Sequence, residues 1–389
     1  MHRRKIEKEL SQAAKSYPVV ALLGPRQAGK TTLVKGLFAD YSYWNLEDPS
    51  LREFAKSDPK GFLSQQNHPF YMIIDEVQYV PELLSYIQTL VDDDEAPGMF
   101  ILTGSQNFQL NEQVSQTLAG RVSILKLLPL MMDEIDTLPN KYETLLFQGS
   151  YPRIHYGKFD PIKWYAGYIE TYLEKDVRLM KNVGDLYLFQ KFMGICAGRI
   201  GQVIHWSEIA NTCGISVKTV HSWISLLQAS FVVFLLQPHE KNFNKQLVKS
   251  PKLYFYDTGV ACSLLRIQSE EQLTHHYMRG HLFESFILAE LLKQRYSLGL
   301  RSNLFYWRDK LGHEVDCLID NGTTLIPLEI KAARTLNSSF FSDLVYWSKL
   351  AEQDPKEALL VYGGDAIQQR SHGLALGWQS FTTSFHYSK

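Results

Sequence analysis

The sequence has no paired cysteines. Its four, Cys196, Cys213, Cys262 and Cys317, are scattered and form no CxxC, which argues against both a zinc knuckle and a disulfide framework. They read as buried free thiols in a reducing cytosol. There is no excess of one charge either: 40 Lys and Arg stand against 41 Asp and Glu, a net of −1. No global basic field therefore draws in nucleic acid, and any such binding needs a local patch. Long apolar runs are missing as well. Phe231 to Leu236 is among the longest, far short of the roughly 20 residues that span a bilayer. Arg3, Arg4 and Lys5 are followed by no apolar stretch, so the N-terminus does not read as a secretion signal. These absences predict a cytoplasmic protein with no membrane contact. Internal repeats and low-complexity segments are also lacking.

What is present is an ordinary globular composition, 45% apolar and 21% charged over 389 residues, enough for two or three packed domains. Three regions are expected. Residues 1–150 alternate apolar runs with helical stretches, with candidate strands at Val19–Leu23, Tyr43–Glu47, Tyr71–Asp75, Met99–Thr103 and Val122–Leu127. Continuous apolar runs separated by helices predict a parallel sheet covered on both faces. Residues 151–260 are mainly helical, opening at Gly149-Ser150-Tyr151-Pro152 with a long helix over 162–181. Residues 261–389 mix a helix at Gly280–Tyr296 with strands at Leu304–Arg308, Glu314–Ile319, Leu325–Lys331 and Ala358–Tyr362, and a helix at Ser338–Leu350.

Gly24-Pro25-Arg26-Gln27-Ala28-Gly29-Lys30-Thr31 satisfies GxxxxGK[ST] at every fixed position, behind an apolar strand and ahead of the helix opened by Thr32. Glycines in such a loop let backbone N–H groups converge on phosphate oxygens, and the helix N-terminus adds positive partial charge. Lys30 is expected at the β- and γ-phosphates and the Thr31 hydroxyl on Mg²⁺, with ATP as the nucleotide. Met72 to Ile74 lead into Asp75 and Glu76, an apolar strand ending in two acids. Asp75 would hold the Mg²⁺ through water and Glu76 would act as general base. With an extra strand between these two, the Met99–Thr103 neighbour would carry a polar sensor of the γ-phosphate, Thr103 or Ser105. Tyr43–Glu47 then flanks the sheet. Arg121 could meet transition-state charge in its own subunit or across a subunit boundary, the latter requiring a homo-oligomer; the plainer reading is a surface arginine at a strand start. Arg26 lies inside the loop itself and is expected to contact phosphate or a partner; the plainer reading is again a surface arginine.

Residues 205–220 carry helix-turn-helix punctuation, with Ser207 and Ser216 as candidate caps and Gly214 in the turn. Ile209, Ala210, Ile215, Val220, Ile224 and Leu227 are the expected packing face. Lys218, Thr219, His221 and Ser222 form the outer one, types that reach DNA bases or phosphates. Strands Phe231–Leu236 and Lys252–Tyr256 would form a wing, and Lys241, Lys245, Lys249 and Lys252 a basic stretch that tracks phosphate. The alternative is a winged helix used for protein packing, or simply an ATPase lid.

Asp316 on one strand and Glu329-x-Lys331 on the next give a D…ExK pattern. A period of two puts Glu329 and Lys331 on one face. The carboxylates, with Glu284 from the preceding helix, could hold a metal ion whose bound water attacks phosphate, Lys331 orienting the nucleophile. The plainer reading is amphipathic strands with exposed charges, and for Glu284 an acid in the first turn of a helix.

Together these stretches resemble a known family. They include Gly24–Thr32, Ile73–Gln78, Leu102–Ser105, Ala119-Gly120-Arg121, Gly149–Arg153, Pro251–Gly259 (PKLYFYDTG), Gly280–Glu284, Tyr306–Asp316 and Leu328–Lys331. The chain is similar to prokaryotic AAA-plus-type ATPases with a C-terminal domain of unknown function related to Holliday-junction-resolvase-like PD-(D/E)XK nucleases. The resemblance covers nearly the whole length. It implies an α/β P-loop NTPase sheet, a helical winged-helix region and a nuclease-like α/β end, with the roles above carried by Lys30, Thr31, Asp75, Glu76, Asp316, Glu329 and Lys331. Ser150 stands where a second glycine is common. The expected function is ATP hydrolysis coupled to DNA binding or metal-dependent cleavage. The alternative is a nucleotide-dependent switch whose nuclease-like end is silent and whose partner is a protein.

Overall fold

The computed structural model describes residues 3–65, 71–94, 96–105, 114, 116–157, 159–173, 185–240 and 247–384. Its first sheet is parallel, with β1 (Val19–Leu23), β2 (Ser42–Asn45), β3 (Met72–Asp75), β4 (Phe100–Gly104) and β5 (Val122–Lys126) in the order β2-β3-β4-β1-β5. All five residues of β1 are buried. Side chains alternate between faces along a strand, and β1 shows the result. Val20 and Leu22 join Ile6, Leu10, Leu33 and Val34 on one side. Val19, Ala21 and Leu23 join Leu84 and Ile87 on the other. The five strands lie where the apolar runs put them, and β4 separates β1 from β3 as expected.

The helix expected over 162–181 runs as an α-helix at Pro161–Tyr168 and a π-turn at Ile169–Leu173; the rest of that span lies outside the described residues. Helices Trp206–Cys213 and Val217–Ala229 follow, joined at Gly214, whose left-handed φ of 76° closes the first. Ser216 caps the second, its Oγ accepting the Thr219 N–H at 3.0 Å. Ser207 is not a cap: the first helix starts at Trp206 behind His205. β6 (Val233–Leu236) and β7 (Lys252–Phe255) then form an antiparallel hairpin. Isolated bridges, Pro238 to Tyr306 and Leu247 to Asp309, tie the hairpin to the last region.

That region is a mixed sheet of β8 (Leu304–Arg308), β9 (Glu314–Asp320), β10 (Leu325–Lys331), β11 (Leu359–Tyr362), β12 (Gln368–Arg370) and β13 (Gly373–Gly377) in the order β12-β13-β11-β10-β9-β8. Helix Ser342–Ala351 packs on β9 and β10. The 19-residue helix Arg279–Ser297 has 13 buried positions, so apolar contacts surround it rather than line one face. It touches β5, β7 and β10, one strand from each of the three sheets. Among the described residues no helix is long and apolar enough to cross a membrane.

Candidate functional site

The loop from Gly24 to Thr31 leaves the C-terminal end of β1 between β4 and β5. Gly24 donates to the Gly104 carbonyl at 3.3 Å, and a Cβ on it would sit 2.0 Å from the Leu127 carbonyl oxygen, so only glycine fits. Gly29, at φ 97°, turns the chain into helix Lys30–Leu37. Gln27 also has a positive φ, 62°, and its Oε1 is buried without a hydrogen-bond partner. Lys30 is buried, its Nζ donating to the Gly24 and Pro25 carbonyls at 3.0 Å each. Arg26 lies 3.3 Å from a Glu47 carboxylate oxygen and 3.4 Å from the Tyr79 hydroxyl. Thr32 is exposed at the start of the helix.

Asp75 ends β3 beside this loop. Its Oδ2 accepts from the Thr31 hydroxyl at 2.7 Å and from the Tyr43 hydroxyl at 2.7 Å, and its Oδ1 accepts from Thr103. A hydroxyl and a carboxylate this close are an oxygen pair of the kind a hard divalent cation takes. Burial, with the Asp75 charge beside it, pushes the Tyr43 phenol up, so Tyr43 stays a donor. Sequence reasoning missed Tyr43; the signal was its place at the register position opposite Ile73 on the flanking strand. Glu76 holds a left-handed backbone, φ 56° and ψ 46°. Its Oε2 accepts from Ser105 at 2.9 Å and from Gln78, which also reaches Ser105 Oγ at 3.1 Å. Lys30, Thr31, Asp75, Glu76, Thr103 and Ser105 thus converge at one end of the sheet, where ligands bind in open α/β folds. Gln106 and Asn107 lie outside the described residues.

Arg121 is placed elsewhere. Its carbonyl accepts from Val19 N at the start of β1, and its side chain pairs with Asp92. Five strand residues, roughly 15 Å, separate it from the loop. The expectation that it meets the nucleotide of its own subunit is therefore corrected.

A second cluster lies where Arg279–Ser297, β7, β9 and β10 meet. Asp316, Glu329 and Lys331 come together there, with Glu284 buried beside them. Glu284 is not a first-turn acid: its Oε1 accepts from the Tyr254 hydroxyl. Two lysines neutralise the carboxylates. Lys331 Nζ pairs with Glu329 and lies 3.8 Å from Asp316; Lys252 Nζ pairs with Glu314 and lies 3.6 Å from Glu284. Lys252 was expected to track phosphate from a wing. It is 2% exposed and turned inward, because three buried or half-buried acids, Glu284, Glu314 and Asp316, offer it more than water does. Of the other expected wing lysines, Lys249 is exposed, and Lys241 and Lys245 lie outside the described residues.

Among the described residues no three His, Cys, Asp or Glu side chains are placed to hold a metal ion together. Asp316 Oδ2 is already taken by the Ile330 N–H at 2.9 Å, and the amines sit on the other carboxylates; of the oxygens of Glu284, Asp316 and Glu329, Glu329 Oε2 alone is buried without a partner. The donor set as arranged does not fit the expected metal at Glu284, Asp316 and Glu329.

Burial, with Glu284 next to it and Lys331 and Lys252 opposing, raises Asp316 to about 6 from an ordinary 3.8. Burial and Asp316 raise Glu329 as well. Burial would raise Glu284, but Lys252, His281 and Tyr254 bring it below its usual range. The folded state thus holds a proton at Asp316 that the unfolded chain gives up. The associated stability is full below the unfolded value near 4 and is lost as pH rises through about 6. Asp316→Asn is expected to gain stability over wild type, on the order of 2 kcal/mol above pH 7, with the gain shrinking as pH falls toward 4. Thermal melts of both proteins across that range check it; a gain independent of pH would contradict the assignment.

On the helix pair, Lys218, His221 and Ser222 are exposed, whereas Thr219 is half-buried with its hydroxyl 2.8 Å from Ser216 Oγ. The His221 ring stacks on Trp206 at 3.9 Å.

Three family models match in succession: one described as "AAA domain" at residues 16–136, "Domain of unknown function (DUF8612)" at 139–271 and "Domain of unknown function (DUF4143)" at 279–381. Two mycobacterial relatives, Uncharacterized protein Rv2008c of Mycobacterium tuberculosis and Uncharacterized protein Mb2031c of Mycobacterium bovis, are each 30% identical over 339 residues, 86% of this chain and 75% of theirs. Among solved structures, the Walker-type ATPase PABY2304 of Pyrococcus abyssi superposes with a TM-score of 0.47 and 17% identity, covering 69% of this chain and 96% of that one.

Proposed function

This chain belongs to the family of the mycobacterial proteins Rv2008c and Mb2031c and carries an AAA-type P-loop ATPase domain, and from that premise we propose that it is a Mg²⁺-dependent ATP hydrolase whose nucleotide state governs DNA binding by its middle region. The observation that carries the reading is the meeting of Lys30, Thr31, Asp75, Glu76 and Ser105 at the end of β1, β3 and β4. Lys30 exchanges two loop carbonyls for the β- and γ-phosphates. Thr31 and Asp75 would hold a Mg²⁺ ion, which would neutralise phosphate charge. Glu76, kept in place by Ser105 and Gln78, takes the proton from the attacking water.

The winged-helix reading is supported by the helix pair, its second member capped by Ser216, followed by the β6-β7 hairpin, and DNA contact by exposed Lys218, His221 and Ser222. A labelled duplex titrated across a salt series is expected to bind less tightly as salt rises, differently with ATP and ADP. Lys218→Glu should reduce the salt slope by about one. Affinity that ignores salt would favour a protein partner instead. The C-terminal sheet reads as a PD-(D/E)XK-type scaffold, and its lysine-neutralised acids favour a role without cleavage. Plasmid cutting with Mg²⁺ or Mn²⁺ that disappears in Asp316→Ala would overturn that part.

A further inference from the structure

Inward-facing amides in a phosphate loop leave its carbonyls pointing out, and each buried carbonyl needs a donor of its own. Here that donor comes from far away in sequence. Arg4 is 7% exposed and uses all three guanidinium nitrogens: Nη1 donates to the Ala28 carbonyl at 2.8 Å, Nη2 to the Leu128 carbonyl at 2.7 Å, and Nε to Glu134 Oε2 at 2.9 Å. The planar fork spans these three acceptors in a way no lysine can. Glu134 is itself buried and accepts from the Lys5 N–H at 2.7 Å and the Met131 N–H at 2.9 Å. The next amide, Met132, donates to Glu290 Oε2 at 2.9 Å, and Glu290 pairs with Lys293 at 2.7 Å. Lys293 also donates to the Leu130 carbonyl at 2.8 Å and to Ser150 Oγ at 3.0 Å. Glu290, Lys293 and Glu284 share helix Arg279–Ser297.

We propose that Arg4 is a positioning residue for the ATPase: together with Glu134 it clamps the phosphate loop and ties it, through residues 131–134, to helix Arg279–Ser297. The clamp rests on the nucleotide reading above but assigns a role that the loop motif does not contain. The loop cannot shift around a triphosphate without moving Ala28, and Arg4 transmits that shift to the turn at Met131–Met132 and so to Glu290. A loop held in shape by Arg4 binds phosphate with its amides already aligned.

Steady-state ATP hydrolysis by wild type, Arg4→Ala and Arg4→Lys tests this, with melting curves as a folding control. Arg4→Ala is expected to raise KM for ATP by about tenfold or more, with a smaller fall in kcat, and Arg4→Lys to recover part of the loss. In hydrogen exchange, saturating ATP should slow exchange in residues 131–134 and 279–297 of wild type. In Arg4→Lys it should slow exchange only around 24–31. If Arg4→Ala does not fold, Arg4→Lys carries both measurements. Wild-type KM in the variants, or slowing of 279–297 that persists in them, overturns the clamp alone. Wild type that neither binds nor hydrolyses ATP removes the nucleotide reading and the clamp with it.

Discussion

Lys30→Ala should abolish saturable ATP hydrolysis, and Glu76→Gln should keep ATP binding while cutting turnover by at least about a hundredfold. The two variants fail for different reasons. Lys30 is a buried cation whose ammonium is parked on the Gly24 and Pro25 carbonyls, an arrangement that keeps it at the loop and ready to move to phosphate. Without it, those carbonyls lose a donor and the triphosphate loses its principal countercharge, so affinity falls first. Glu76→Gln preserves shape and can still accept from Ser105, but an amide cannot take a proton from water. Calorimetry with Mg-ATP separates binding from phosphate release. Undiminished turnover in both variants would sink the assignment of the site.

The largest effect on stability is expected at Lys252. Its ammonium is buried among Glu284, Glu314 and Asp316, and these acids raise its affinity for the proton despite the burial that opposes charge. Breaking a buried charge network by removing one partner costs about 3–5 kcal/mol, because the remaining charges stay desolvated. Lys252→Met, similar in length and apolar, should therefore lower the melting temperature by on the order of 10 °C at pH 7.5. Asp316, Glu329 and Glu284 then face Lys331, and Glu314 keeps Arg308 at the rim, 3.3 Å away. Protons can supply the missing charge, so the loss should narrow as pH falls below about 6, the value to which Asp316 is raised. Adding Glu284→Gln to Lys252→Met should recover part of the stability, a coupling that a double-mutant cycle measures. An unchanged melting temperature in Lys252→Met would mean that solvent already screens the cluster.

The first sheet was legible because its strands are continuous apolar runs, each beside a turn or helix signal, and the loop motif fixed which strand is β1. The last sheet was legible only in part. β8 and β10 lie where expected, but β12 is three largely polar residues and β13 begins and ends on glycine, so neither carries a strand pattern. Two site residues were hidden by distance along the chain. Arg4 reads locally as one member of a charged terminus, and Lys252 as one of a string of surface lysines. Their burial depends on acceptors more than 20 residues away, Ala28 and Glu134 for one, Glu284 and Glu314 for the other. Arg121 is a different case. It stands immediately before a parallel strand, at the end of the sheet away from bound ligands, and strand direction alone would have placed it there.

The hairpin belongs to two neighbours at once. The Phe255 N–H donates to Ser285 Oγ at 3.0 Å and Ser285 Oγ–H donates to the Phe255 carbonyl at 2.9 Å, while the Tyr306 hydroxyl caps the Ser250 carbonyl. A gene cut near residue 270 would leave one product with Lys252 and Tyr254 facing water and the other with Glu284 stripped of both. Recombination that swaps either half alone is therefore penalised, and the two are expected to be inherited as a single cassette.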